Sequence, residues 1–93
     1  MQLNTSLVIG KNELSEIKTV IINSKKTPPL AKIELLKSVG DYVRVSVFPK
    51  KKDIEVADAI LKRYQNTWQL IILGTGLDED DLIRDGVPKS LFD

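Results

Sequence analysis

Residues 70–73, Leu-Ile-Ile-Leu, are the feature that most restricts how this chain can fold. Successive side chains of a β-strand point to opposite faces of the sheet. A strand that is apolar at every position therefore needs cover on both faces. We predict a strand over residues 68–73, opened by Trp68 and ended by Gly74, that lies in the interior of a sheet.

Residues 42–48 show strict alternation instead. Val43, Val45 and Val47 fall on one face, and the intervening positions hold polar or aromatic side chains. This period of two is typical of a half-buried strand. Pro49 ends the pattern, because proline cannot donate a hydrogen bond within a ladder. The sequence therefore predicts a second strand over 42–48.

Two other segments have the apolar spacing of helices. In residues 28–39 apolar side chains recur every three positions between Pro28, which suits a first helical turn, and Gly40, which suits a helix end. In residues 54–65 a similar spacing follows Asp53, a good N-cap. We predict a helix at each segment.

The N-terminal quarter of the sequence can be interpreted in two ways. Alternating apolar residues predict a strand over 2–9. Residues 13–23 combine helical spacing with the β-branched run 19–22, which prefers a strand. We favour a strand at 17–23 that forms a hairpin with the first one, and a helix at 12–24 is the alternative.

Together these elements predict one domain over residues 1–93, in the α/β class, with α+β as the alternative. It would contain a single-layer mixed sheet of three or four strands packed by two main helices. The helix at 54–65 would connect parallel strands in a β-α-β unit at 42–73. A short helix over 78–85, stopped by Gly86, would follow.

The residue types that are missing limit the chemistry of the chain. It contains no Cys and no His. Structural disulfides, thiolate metal ligands and the commonest general base near neutral pH are therefore excluded. Catalytic triads that need His or Cys cannot be built from this chain. We expect a protein that is not an enzyme and has no cofactor and no metal. A carboxylate-dependent enzyme using Asp78, Asp81 and Asp85, or a metal-binding protein, is less favoured.

Gly74-Thr75-Gly76 raises the question of phosphate binding. A strand, a glycine turn and a helix N-terminus can bind phosphate through backbone N–H groups. However, the lysine of a phosphate loop is absent, and the acids at 78–81 would repel an anion. The same acids complement the dipole of a following helix. We therefore predict a structural turn.

Charge is unevenly distributed although the net charge is +1. Residues 18–63 hold eleven bases and five acids, whereas residues 64–93 hold two bases and six acids. We expect the lysines to gather at one end of the fold and the aspartates at another. Such polarity suits recognition of a partner.

The favoured function is a non-enzymatic interaction or regulatory domain that acts through protein–protein contacts, including self-association as a dimer. The candidate partner-binding residues are Asp78, Glu79, Asp80, Asp81, Leu91 and Phe92. Residues 90–92, Ser-Leu-Phe, resemble the short apolar peptide that bacterial proteins insert into the sliding clamp of replication, although its leading glutamine is missing. We prefer the interpretation that the last two of these residues fold back over an open face of the sheet.

The alternative function is a nucleic-acid-binding module. Its candidate residues are Lys25, Lys26, Arg44, Lys50, Lys51 and Lys52. The sequence pI of about 7.9 lies below the value above 9 that is typical of such domains. No apolar stretch approaches the roughly 20 residues of a membrane span, and the first residues lack the pattern of a signal peptide. We therefore expect a cytoplasmic protein without a membrane partner.

Overall fold

The computed structural model describes residues 10–24 and 29–93, which form a four-stranded antiparallel sheet with helical segments on both faces. In chain order the elements are α1 (Lys11–Asn23), β1 (Leu30–Val39), β2 (Tyr42–Pro49), β3 (Ala57–Tyr64), β4 (Thr67–Gly74), α2 (Glu79–Arg84) and a C-terminal 3₁₀ helix (Lys89–Phe92). The strand order is β1-β2-β3-β4, so each strand pairs with its neighbour along the chain. This is a small α+β arrangement.

Two tight turns build the sheet. Val39 pairs with Tyr42, and the loop between them begins with Gly40 at φ 58°. Tyr64 pairs with Thr67, and both residues of their loop, 65 and 66, have positive φ. Two-residue loops with positive φ match the right-handed twist of the flanking strands. The turns therefore fix the register of the β1–β2 and β3–β4 hairpins.

The first face of the sheet is covered by α1. Ile17 and Ile21 of this helix have no exposed surface and pack against Val43, Val45 and Leu61 of the central strands. The two isoleucines are four residues apart and therefore lie on one side of the helix. Burying such a side chain contributes about 1.5–3 kcal/mol, so this contact is the main attachment of α1 to the sheet.

The second face is covered by the C-terminal segment. Leu82, Val87 and Leu91 are buried against Ile60 of β3, in a cluster separate from the one beneath α1. Phe92 is half-buried at the margin of this cluster. The C-terminal residues therefore do fold back over a face of the sheet. Helical segments also cover both faces, which is the layering that the apolar run in β4 predicts.

Both of the predicted main helices are wrong. Residues 28–39 were predicted to be helical, but Leu30–Val39 is strand β1; residues 54–65 were predicted to be helical, but Ala57–Tyr64 is strand β3. The predicted β-α-β unit at 42–73 is consequently wrong, because its strands are joined through β3 and all pairing is antiparallel rather than mixed. Leu, Ala, Lys and Glu favour helices only weakly, and tertiary packing overrides that preference.

The N-terminal helix is the alternative that the sequence left open. The strand favoured at 17–23 is wrong, because these residues belong to α1. The predicted strand at 2–9 lies outside the described residues. The strands predicted at 42–48 and 68–73 are confirmed as β2 and β4. Among the strands of the described residues, however, β4 is the last in the sheet order and not an interior strand.

The short C-terminal helix α2 is confirmed, with its predicted end signals. The Asp81 backbone N–H donates to Oδ1 of Asp78 at 3.2 Å, which caps the first turn. At the other end, Val87 N–H donates to the carbonyl oxygen of Leu82 at 3.0 Å, and Gly86 adopts φ 111°. This pattern is a Schellman motif, which redirects the chain and places Val87 against Leu82.

Candidate functional site

The outer edge of β4 is the less protected of the two edges of the sheet that the described residues form. β4 pairs with β3 on its inner side, and no residue in 10–24 or 29–93 pairs with its outer side. Its sequence contains no charged residue and no proline. Gln69 is exposed, and Ile71 is 42% exposed. Edge strands usually carry a charge, a proline or a bulge that opposes pairing with another chain. β4 has one bulge, at Ile71, where its pairing with β3 shifts register, but it carries no charge and no proline.

The outer edge of β1 has that protection. Lys32, Glu34 and Lys37 place three charges along it, and two register shifts interrupt its pairing with β2 at Ala31 and Leu36. Charges and bulges of this kind disfavour addition of a further strand. The edge of β4 is therefore less protected than that of β1, because it has one bulge instead of two and no charge, and it is the edge better suited to pairing.

A groove of about 390 Å³ lies beside the first residues of β4. Glu16, Thr19 and Val20 of α1 form one wall, and Thr67 and Trp68 of β4 form the other. Trp68 is 6% exposed and is held in the core by its position on the first face of the sheet. The groove therefore runs between a helix and the less protected edge strand.

Glu16 is the ionisable group in the groove wall. It is exposed, and it forms no side-chain hydrogen bond or ion pair with the part of the chain that the structure describes. The two threonine hydroxyls donate to backbone oxygens, Thr19 to Ser15 at 2.9 Å and Thr67 to Tyr64 at 2.9 Å. The Ser15 hydroxyl and the Asn66 side-chain amide also line the groove, so the Glu16 carboxylate is the one charged group that the described residues give it, among polar groups available to a ligand.

Arg63 contacts Trp68, one of the residues that line the groove, without pairing with Glu16. Its Nη1 lies 3.0 Å from Oε2 of Glu13, and its guanidinium carbon lies 5.3 Å from the centre of the Trp68 ring. Both partners of the ion pair are about three-quarters buried, with 28% and 26% of their side chains exposed. Because Glu13 compensates the charge of Arg63, the groove has a net negative charge.

The candidate basic residues are only partly available. Lys25 and Lys26 lie outside the described residues. Arg44 is 3.0 Å from Asp58 and lies 5.6 Å from the centre of the Phe92 ring, so its charge is already paired. The lysines at 50–52 are exposed in the loop after β2. They make no hydrogen bond or ion pair through their side chains to any described residue.

The candidate partner-binding residues have mainly structural roles. Asp78 caps α2, and Asp81 forms a 2.8 Å ion pair with Arg84. Leu91 is fully buried. Glu79 and Asp80 are exposed in the first turn of α2, where they complement the helix dipole. The structure does not bring the acidic residues together with Leu91 in one accessible surface.

The lysines and the aspartates were expected at different ends of the fold, and the topology contradicts this expectation. The loop with residues 50–52 joins the end of β2 to the start of β3. Gly74, which precedes α2, pairs with Asp58 at that same end of the sheet. The lysine loop and the acidic helix therefore leave the sheet from the same end.

The edge of β4 and its groove were both missed by sequence reasoning. The edge was missed because the continuous apolar run was interpreted as an interior strand. The groove was missed because one of its walls belongs to α1, and a strand was favoured for that segment. The signal that could have found the edge is Gly40-Asp41, a dipeptide typical of a two-residue hairpin turn, together with Asn66, which tolerates the positive φ of the second turn. Such turns predict a meander of hairpins in which the last strand lies at an edge.

Within residues 10–24 and 29–93, no group of three or more acidic side chains is arranged to hold a metal ion. None of the described helices has the length and hydropathy needed to cross a bilayer. No protein-family model matches the sequence, and neither a curated protein nor a solved structure matches the chain.

Proposed function

We propose that this chain is a non-enzymatic interaction domain that binds an extended segment of another protein chain along the outer edge of β4. The observation that carries the proposal is the edge itself, which has no charge, no proline and no partner strand among the described residues. Strand addition supplies hydrogen bonds to the unpaired backbone groups of such an edge.

The surroundings of β4 support this role. Ile71 is 42% exposed at this edge, and a docked strand would remove part of its apolar surface from water. β4 is held on its inner side by β3 and through Trp68 by the core. A strand that is already ordered loses little conformational entropy when it binds, which favours affinity.

Peptide selection with a matched pair of variants tests the proposal. A displayed library of random 12-residue peptides is selected against the wild-type protein, Ile71→Lys and Ile22→Lys. Ile22 lies on α1 and is 49% exposed, so the control makes the same change at similar exposure away from the edge. A lysine in the middle of the edge opposes strand addition. We expect wild-type protein and Ile22→Lys to select peptides and Ile71→Lys to lose them.

The binding position is measured by NMR with ¹⁵N-labelled protein and one selected peptide. Backbone amides of β4 should shift most, and their hydrogen exchange should slow. Failure to select any peptide, or peptides whose shifts fall on β1 or on the loop at 50–52, would overturn the proposal. Size exclusion with light scattering tests a second copy of the chain as the occupant. In that case wild-type protein is a dimer and Ile71→Lys is a monomer.

Nucleic-acid binding is the second candidate, and one contact favours it. The backbone N–H of Lys50 donates to the carbonyl oxygen of Pro29 at 2.9 Å. This bond anchors the first residue of the loop that exposes Lys50, Lys51 and Lys52. Several lysines brought together on one surface would attract a phosphate backbone.

Titration of a fluorescent single-stranded and a double-stranded oligonucleotide at two salt concentrations tests this candidate. Binding through lysines must weaken steeply with added salt, because it releases counterions from the nucleic acid. Replacing the three lysines at 50–52 with serine should lower the salt dependence. Replacing Lys89, which is exposed near the C-terminus, with serine is the control. Absence of binding near 50 mM salt rejects this candidate.

A further inference from the structure

We infer that the segment docked on β4 carries a lysine or arginine whose side chain enters the groove beside the strand. The inference rests on the proposed strand addition and specifies its partner: an extended peptide with a basic residue at the position that faces Thr67 and Trp68. The occupant is thus defined by charge and by conformation.

The geometry of a strand brings one side chain to the groove. Alternate side chains of an added strand point to the same face of the sheet. One face of β4 is the face that α1 covers, and the groove lies between α1 and residues 67–68. A residue of the docked segment that lies beside these positions and points to this face therefore projects between Val20 and Trp68.

The lining of the groove selects a long basic side chain. Val20 and Trp68 offer apolar surface to the methylene groups, and Glu16 offers a carboxylate to the charged end. Lysine and arginine bury their stems in this way while keeping their charge near water. An acidic side chain would be repelled by Glu16, and an apolar one would leave this carboxylate unpaired. The 390 Å³ of the groove can hold one such side chain.

Two charged neighbours do not reverse this preference. Arg63 is paired with Glu13 at 3.0 Å, so its charge is compensated within the fold. Lys18 is two residues from Glu16 on α1, and residues two apart on a helix do not face each other. The groove therefore presents a negative charge to the docked segment.

Variants at Glu16 test the inference in the same peptide selection. Glu16→Gln removes the charge, and Glu16→Lys reverses it. Glu55→Lys is the matched control, because Glu55 is exposed in the loop between β2 and β3 and does not line the groove. Wild-type protein and Glu55→Lys should enrich Lys and Arg at one peptide position. Glu16→Gln should lose that enrichment, and Glu16→Lys should enrich Asp and Glu there.

The affinities of two synthetic peptides measure how much the basic side chain contributes to binding. A selected peptide is compared with the same peptide in which norleucine replaces the basic residue. We expect wild-type protein to bind the basic peptide about two- to fivefold more tightly, which is the range of a solvent-accessible ion pair. The ratio should fall to about one for Glu16→Gln.

The outcomes separate this inference from the proposed function. Peptides that bind along β4 without a basic preference, or with one that Glu16→Gln leaves unchanged, overturn the inference and leave strand addition intact. A preference that Glu55→Lys also abolishes overturns it as well, since the attraction is then general and not local. Failure of every peptide to bind β4 overturns both proposals.

Discussion

At the scale of single residues, the backbone of the β3–β4 turn departs from what its sequence prefers. Gln65 and Asn66 adopt φ of 57° and 80°. Asparagine tolerates this left-handed region, whereas glutamine rarely occupies it. The conformation persists because pairing on both sides of a two-residue loop requires it. The fold therefore imposes a strained backbone on Gln65.

Replacing Gln65 with Asn should stabilise the protein. Asparagine adopts the left-handed region at lower cost, so we expect the free energy of unfolding to rise by about 0.5–1 kcal/mol. Urea denaturation followed by circular dichroism measures this change. Gln69→Asn is the control, because Gln69 is exposed within β4, where asparagine is not favoured. A stabilisation of both variants by equal amounts would contradict the explanation.

Gly86 shows the opposite case, in which the residue type matches its backbone. Gly86→Ala should destabilise the protein by about 1–3 kcal/mol, because φ 111° is unfavourable for a residue with a Cβ atom. The added atom would meet nothing within 4 Å, so the cost is conformational and not a clash. Gly74→Ala, whose Cβ would make an ordinary 3.6 Å contact with Leu77, should change stability by less than about 0.5 kcal/mol. Equal effects in denaturant titrations would refute this account.

At the scale of elements, three segments adopt the secondary structure that their residues do not favour locally. α1 contains the β-branched run 19–22, and β1 and β3 are rich in residues that favour helices. Propensities differ by less than about 1 kcal/mol per residue, and burial of Ile17 and Ile21 outweighs this difference. Packing in the tertiary structure, and not local preference, therefore decides whether each of these segments is a helix or a strand.

A synthetic peptide of residues 10–24 should be largely unfolded in water. Helices this short are marginal even for favourable sequences, and the packing surface of α1 is absent in the peptide. Far-ultraviolet circular dichroism should show helicity below about 20%. In the full chain, ¹³C chemical shifts of the same residues should be helical. A peptide that is more than half helical would show that α1 forms by local preference.

At the scale of the whole molecule, the sheet is stabilised by two separate cores. α1 covers one face, and the C-terminal segment covers the other. The 3₁₀ helix at the end of the segment lies against β1 and β2. Arg44 of β2 also links the C-terminal segment to the sheet, because it pairs with Asp58 on β3 and lies over the ring of Phe92. The C-terminal residues are therefore part of the folded core.

Leu91→Ala should destabilise the whole protein by about 2–5 kcal/mol, the usual cost of truncating a fully buried leucine. This is a large share of the roughly 5–10 kcal/mol expected for a domain of this size. Leu36→Ala, at a position that is 48% exposed in β1, should cost less than about 1 kcal/mol. The measurement is the midpoint of thermal and urea unfolding. Similar losses for the two variants would contradict the second core.

The elements that were predicted correctly have signals that depend on few neighbours. The alternating valines of β2 define a strand by their period of two, and β4 is defined by a short uninterrupted apolar run. Asp78 and Gly86 define the ends of α2 by the chemistry of caps. Residues 28–39 and 54–65 were misassigned as helices, because leucine and alanine suit both helices and strands. There the Gly40-Asp41 turn would have been the better guide, because that pair between two apolar runs is typical of a hairpin.

The sequence by itself determined two strands, the terminal α2 helix, the need for cover on both faces of the sheet, and the absence of His and Cys chemistry. These depend on residue type and on local period. Only the tertiary structure decided that β1 and β3 are strands, that α1 is a helix, and that β4 lies at an edge with Glu16 beside it. The reason is physical: local preferences amount to a few tenths of a kcal/mol per residue, whereas pairing and burial contribute several kcal/mol per element.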